Sequence, residues 1–210
     1  MTAKQLLEAV FDADRKLREA ESALLAQADG EELARAIERG AEQAFALDDT
    51  AEATARLARL ADLCAQAQGP RTADTLLAIL NHPAPEVRVA AGEALRDFAY
   101  DRYAEVARAV ERAIARALPG PALQEVPWIL AEIGEPSAAP LIARCLTHPD
   151  VEVVASAIEA LAELGEASSV ALLTPFVNDQ RVVQLEEGDA GYSTTLGELA
   201  SEAISELEAG

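Results

Sequence analysis

Residues 82–95 and 148–161 align without a gap at an offset of 66, and eight of the fourteen positions are identical (82/148, 83/149, 86/152, 87/153, 91/157, 93/159, 94/160 and 95/161). Twice about 33 residues is the period of helix–turn–helix repeats. Such a unit cannot bury its apolar face alone, so the copies must stack on one another. Self-similarity therefore constrains this chain more than any single motif does.

The composition agrees with stacked helices. Half the residues are hydrophobic and only 4% are aromatic. The apolar mass is largely Ala, Leu and Val, good material for helices that approach closely. The 210 residues suffice for one domain, burying roughly two-thirds of the unfolded-chain surface. No stretch reaches the eighteen or so unbroken apolar residues of a membrane span. The segment starting at Met1 has no basic region followed by an apolar one, so no signal peptide is expected and the location predicted is cytoplasmic. Cys64 and Cys145 lie among apolar residues without ligand spacing and read as reduced, buried hydrophobes.

Net charge is −20 and uneven: residues 1–144 hold 16 bases and 24 acids, residues 145–210 only Arg181 against 13 acids. Such a balance repels phosphate, so nucleic acid and membrane are not expected as partners.

Periodicity predicts helices over 2–28, 31–47, 50–68, 72–81, 85–100, 102–118, 121–133, 136–147, 150–164, 168–177 and 194–208. Thr50, Thr72 and Asp150 are the expected N-caps, and Gly69, Gly134 and Gly165 the expected C-terminal stops. A second alignment places Leu130–Ser137 over Leu161–Ser168 at an offset of 31, six of eight identical. Repeats then fall at 72–100, 102–133, 136–164 and 168–208, with a weaker one at 31–68 and a leading helix as cap. In the last, Ala203 matches Ala157 at an offset of 46 instead of 30, so about sixteen residues are inserted. Within them residues 181–185 alternate like a strand and 186–191 read as a turn, which predicts a short hairpin or an ordered loop. Glu186, Glu187 and Asp189 lack the spacing of a calcium loop and read as solvated.

The His/Asn-Pro/Asp turn, the following Glu-Val-Arg or Glu-Val-Val, and Ala-x-Glu-Ala-Leu running into Gly resemble HEAT repeats, of the short bacterial type also found in phycobilisome lyases. The resemblance covers 72–177 and 194–208; residues 1–68 rest on helical period alone. It implies an all-α, right-handed α-solenoid of about five stacked helical hairpins with an N-terminal capping helix. The chain reads as a single domain over 1–210: divergent N-terminal helices and cap at 1–68, clear repeats at 72–177, the inserted loop or hairpin at 178–193 and a final helix at 194–208. In the family, the first helix of each pair lies on the convex side and the second lines a concave groove.

Helix 150–164 carries Glu152, Ser156, Glu159 and Glu163 as one polar stripe opposite Val153, Ala157 and Leu161. Carried through the alignments, the stripe becomes Glu86, Ala90, Glu93 and Asp97 in an earlier copy, Glu125, Trp128 and Glu132 in the middle one, and Glu198, Glu202 and Ser205 in the last. Ten acids fall in this register and no base does. Like charges stacked across helices repel, so the array is either a solubilising surface or a site for a basic partner. Trp128 stands where the matched copies have Glu93 and Glu159. It is either a groove-facing anchor or a ring turned inward beside Pro127. Arg108, Arg112 and Arg116 recur every four residues on a first-of-pair helix, with Glu105 and Glu111 near enough in that helix to pair with them.

Both histidines, His82 and His148, occupy the same turn position, which marks them as serving the repeat and removes most acid–base, triad and zinc schemes. No phosphate loop or nucleophile elbow occurs. The expected function is a non-catalytic protein-binding scaffold, without cofactor, whose acidic groove holds a basic protein or peptide segment; an inhibitor or immunity protein is one form. The alternative is a bilin lyase-like or other small-molecule-handling HEAT enzyme, for which Tyr100, Tyr103 and Tyr192 are the thin basis. DNA glycosylases built from similar repeats need a basic groove. Partner identity and oligomeric state are not encoded legibly.

Overall fold

Short apolar periods, each closed by a capping signal, divide the chain into helices that pair and pile. The computed structural model describes residues 1–67, 69–187 and 190–209. The helices are α1 (Ala3–Gln27), α2 (Gly30–Phe45), α3 (Thr50–Cys64), α4 (Pro70–Leu80), α5 (Pro85–Ala115), α6 (Ala122–Ile133), α7 (Ala138–Cys145), α8 (Val151–Glu163), α9 (Ser169–Leu173, continued by a 3-10 turn over Thr174–Phe176) and α10 (Leu196–Ala209). Between the 3-10 turn and α10 lie strands β1 (Val182–Glu187) and β2 (Ala190–Thr195). The fold is an all-α solenoid carrying one β-hairpin.

The hairpins are α2/α3, α4 with the first limb of α5, the second limb of α5 with α6, α7/α8, and α9/α10. Second members pack in sequence, α3 on α5, α5 on α6, α6 on α8 and α8 on α10. The boundary expected near residue 101 is a kink inside α5, where Arg102 leaves helical geometry (φ −139°, ψ 41°). Its guanidinium donates to the Ala67 carbonyl and lies 4.9 Å from the centre of the Phe98 ring. The aligned copies bury matching residues: Val87 with Val153, Ala91 with Ala157, Leu95 with Leu161. A fully buried aliphatic side chain of this kind contributes about 1.5–3 kcal/mol.

Some expected caps move. Asp49, not Thr50, caps α3, accepting from the N–H groups of Ala51 (3.0 Å) and Glu52 (3.1 Å). A carboxylate at the positive end of a helix is the stronger acceptor. At α4 the helix begins earlier than Thr72, with Gly69 at the N-cap and Pro70 next, because proline's fixed φ and missing N–H suit the first turn. Gly69 therefore opens α4 instead of ending a helix. Asp150 caps α8, as expected, through the Glu152 N–H at 3.0 Å. Gly134 and Gly165 take the left-handed conformation just past α6 and α8.

The insertion forms a hairpin. β1 and β2 pair antiparallel from Val182↔Thr195 to Glu187↔Ala190. Glu186, Glu187 and Gly191, read as turn, belong to strands, and Asp189 lies outside the described residues. Val183 is buried, and the Leu196 and Gly197 N–H groups donate to the carbonyls of Arg181 (3.0 Å) and Asp179 (2.9 Å). A Cβ at Gly197 would lie 2.7 Å from the Val177 carbonyl oxygen, so only glycine lets α10 seat there.

At the other end, α1, the expected cap, touches the pile only through its last turns. Leu25 and Ala28 pack against the core, and Glu21 pairs with Arg59 at 3.3 Å. No residue of α1 is buried.

Candidate binding face

The second members of the hairpins present the predicted stripe. Glu86, Glu93, Asp97, Trp128, Glu132, Glu163, Glu198 and Glu202 are exposed, and Glu125, Glu152 and Glu159 half-buried. Trp128 is 42% exposed, so its ring is not turned into the core.

The expectation that no base joins this stripe needs correction. Arg88 and Arg96 lie just off the register on α5, and their long side chains reach α6, pairing with Glu125 (3.2 Å) and Glu132 (2.6 Å). Helical position alone understates the reach of an arginine. The aligned positions in the later copy are Val154 and Ala162. The acids of α8 and α10 receive no such partner.

A third acid is also engaged. Glu198 accepts from the Thr195 N–H (3.0 Å) and the Thr194 hydroxyl (2.9 Å), while its own N–H donates to the Thr195 hydroxyl (3.1 Å). This reciprocal box caps α10, and these hydrogen bonds hold the Glu198 carboxyl below the usual range. Among the described residues, Glu86, Glu93, Asp97, Glu152, Glu159, Glu163 and Glu202 make no ion pair.

Where α6, α8, β2 and α10 meet, an open cleft of about 260 Å³ is lined by Trp128, Glu159, Ala162, Glu163, Tyr192, Leu199, Glu202, Ala203 and Glu206. Burial, then the charges of Glu202 and Glu152, push the Glu159 carboxyl above its ordinary range. The base nearest in sequence, Arg181, is held by Asp179 at 2.7 Å. The cleft thus gathers four carboxylates and two aromatic rings with no cation lining it among the described residues. Tyr192, Leu199 and Glu206 escape the stripe analysis. Glu206 follows Glu202 by four residues and could have been read from helical spacing. Tyr192 could not, because it arrives on an insertion that has no second copy.

Among the described residues, no arginine on the second limb of α5 forms an ion pair within its own helix, whereas Arg35 of α2 pairs with Glu31 one turn away. Arg112 reaches Asp74 of α4 at 2.7 Å, and Glu111 pairs with Arg144 of α7. Arg71 of α4 completes the series with Glu38 of α2 at 2.8 Å. Arg108 and Arg116 donate to backbone carbonyls. Stacking thus gives Arg112, Glu111 and Arg71 partners on an adjacent hairpin, while Arg108 and Arg116 stay on the preceding turn of their own helix.

His82 Nδ1 accepts from the Ala84 N–H (3.1 Å), and His148 Nδ1 from the Asp150 N–H (3.2 Å). The same bond in the same turn of two repeats shows what the recurring histidine does. Cys64 and Cys145 are buried, which pushes both thiols up to about 12, where thiolate chemistry is suppressed. Among the described residues, no group of three His, Cys, Asp or Glu side chains could hold a metal ion, and no helix is long and apolar enough to cross a membrane. Tyr192 lines the cleft without Tyr100 or Tyr103.

No curated protein matches the chain. A crystal structure of an engineered protein from the Northeast Structural Genomics Consortium is 18% identical over 91% of this chain and 96% of that one, with a TM-score of 0.37. Residues 108–186 match the family model for HEAT repeats, which form helical scaffolds suited to protein interaction. That match runs from the second limb of α5 to β1, so this part of the chain is similar to HEAT repeats, and the hairpins on either side of it stack in the same register.

Proposed function

We propose that this protein is a non-catalytic scaffold that holds a basic protein or peptide segment against its second-member face, chiefly at the cleft of Trp128, Tyr192, Glu159 and Glu202. The observation that carries the reading is the grouping of unpaired carboxylates around two exposed rings. Repulsion among those carboxylates weakens the free protein, and an arriving cation relieves it. A guanidinium suits the cleft best, since it stacks on an aromatic face while its N–H fork meets carboxylate oxygens. The surrounding acids, Glu86, Glu93, Asp97, Glu152 and Glu163, speed encounter with a basic segment and disfavour acidic ones. Upstream, Arg88 and Arg96 already neutralise Glu125 and Glu132, which supports assigning the attraction to the α8/α10 end.

Calorimetric titration with an arginine-rich peptide tests this reading. Binding should weaken steeply between low and physiological salt, because exposed charges are screened over about 8–10 Å, and it should fall in Glu159→Arg. Binding of equal strength in high salt, or unaffected by that substitution, contradicts it.

A further inference from the structure

The length of α1 is out of proportion to its contact with the rest of the chain. It runs for 25 residues with none buried. Leu6, Leu7, Val10 and Phe11 are all more than half exposed, and Leu17 and Leu24 are 39% and 37% exposed. Leu6, Val10, Ala13, Leu17, Ala20 and Leu24 follow one another at spacings of 4, 3, 4, 3 and 4. That is the seam of a two-stranded coiled coil, with Val10, Leu17 and Leu24 at the a positions and Leu6, Ala13 and Ala20 at d.

We propose that α1 is a self-association helix whose seam pairs in parallel with α1 of a second copy of this chain. Charge complementarity favours that occupant and that direction. In parallel register Lys16, at a g position, approaches Glu21 at the e position of the second copy, where it joins Arg59 of that copy on the same carboxylate, and the symmetric contact repeats it. An antiparallel pairing instead sets e against e and g against g, bringing Asp14 toward Asp14 and Lys16 toward Lys16. An anionic membrane is a poor occupant, since α1 holds four bases against five acids and the chain carries −20 overall. The extent of the surface sets the strength. A helix of this length spans about 37 Å and about 10 Å in width, a footprint of roughly 400 Å² against the ~800 Å² per partner of a standard interface. The dimer is therefore weak and concentration-dependent. This inference stands apart from the groove and survives its failure.

Sedimentation equilibrium of the full chain, from micromolar to near-millimolar concentration, should show a monomer–dimer equilibrium. Leu17→Glu should weaken it at least about tenfold with unchanged helical circular dichroism, because Leu17 supports no core. Ala13→Cys should give a disulfide-linked dimer with oxidised glutathione, as that d position meets itself only in the parallel pairing. The native chain should not cross-link, its two cysteines being buried. A chain that stays monomeric throughout, whether or not it binds phosphatidylglycerol vesicles, overturns the proposal. So does a dimer that survives Leu17→Glu, or an Ala13→Cys chain that fails to cross-link.

Discussion

The second-member face has two ends built from copies of one repeat, and they differ in what answers their acids. Between α5 and α6, Arg88 and Arg96 meet Glu125 and Glu132 across the hairpin interface. Between α6, α8 and α10, Val154 and Ala162 stand at the aligned positions, and Glu159, Glu163, Glu202 and Glu206 gather around Trp128 and Tyr192. The buried residues are nearly interchangeable between the two ends, so the difference does not come from packing. One interface answers its own charge. The other holds carboxylates that form no ion pair among the described residues.

The largest expected effect comes from glycine. Gly92, in the paired half, has room for a methyl group, with Leu80 and Ile129 carbons no nearer than 3.8 Å, whereas a Cβ at Gly197 meets backbone at 2.7 Å. Gly197→Ala should cost about 2 kcal/mol or more by chemical denaturation. It should also abolish peptide binding by lifting Tyr192 and Glu202 away from Trp128, while Gly92→Ala leaves binding nearly unchanged and raises stability by about 0.4–1 kcal/mol. Next, Trp128→Ala should weaken binding by about 2 kcal/mol, roughly thirtyfold in Kd, with helicity intact because the ring supports no core. Ala162→Arg copies the paired end onto the open one, Ala162 being the counterpart of Arg96. It should weaken binding by about 1 kcal/mol, measured by calorimetry. Smallest is the proton linkage at Glu159. Its carboxyl titrates above the ordinary range in the folded chain, so folding stability falls as pH rises from the ordinary carboxylate range through that raised one. Glu159→Gln should remove this slope and gain less than about 1 kcal/mol at neutral pH.

Much of this contrast is readable in the sequence, for reasons that differ by residue. Repetition exposes the pile, because Val87 and Val153 or Leu95 and Leu161 recur wherever a hairpin must bury the same face. The shift from 30 to 46 residues locates the insertion, and alternation over 181–185 indicates a strand. What repetition cannot supply is the fate of a segment present once: nothing at Tyr192 says that β2 leans beside Trp128. Side-chain reach is likewise invisible to register, which is why Arg88 and Arg96 are missing from a stripe they complete. Helical spacing likewise sets Glu111 beside Arg112, whereas stacking gives Arg112 to Asp74 and Glu111 to Arg144. Glu198 belongs to a capping box recognisable from Thr195 and its spacing of three, had the hairpin's end been known.

Trp128 is the only tryptophan, so intrinsic fluorescence reports on the cleft alone. Titrating an arginine-rich peptide into the full chain at low salt should give a saturable change in that emission, lost at high salt and shifted to higher peptide concentration in Ala162→Arg. An emission that stays constant while the peptide binds elsewhere, or that responds equally to an acidic peptide, contradicts the assignment of the open, unpaired end as the binding site.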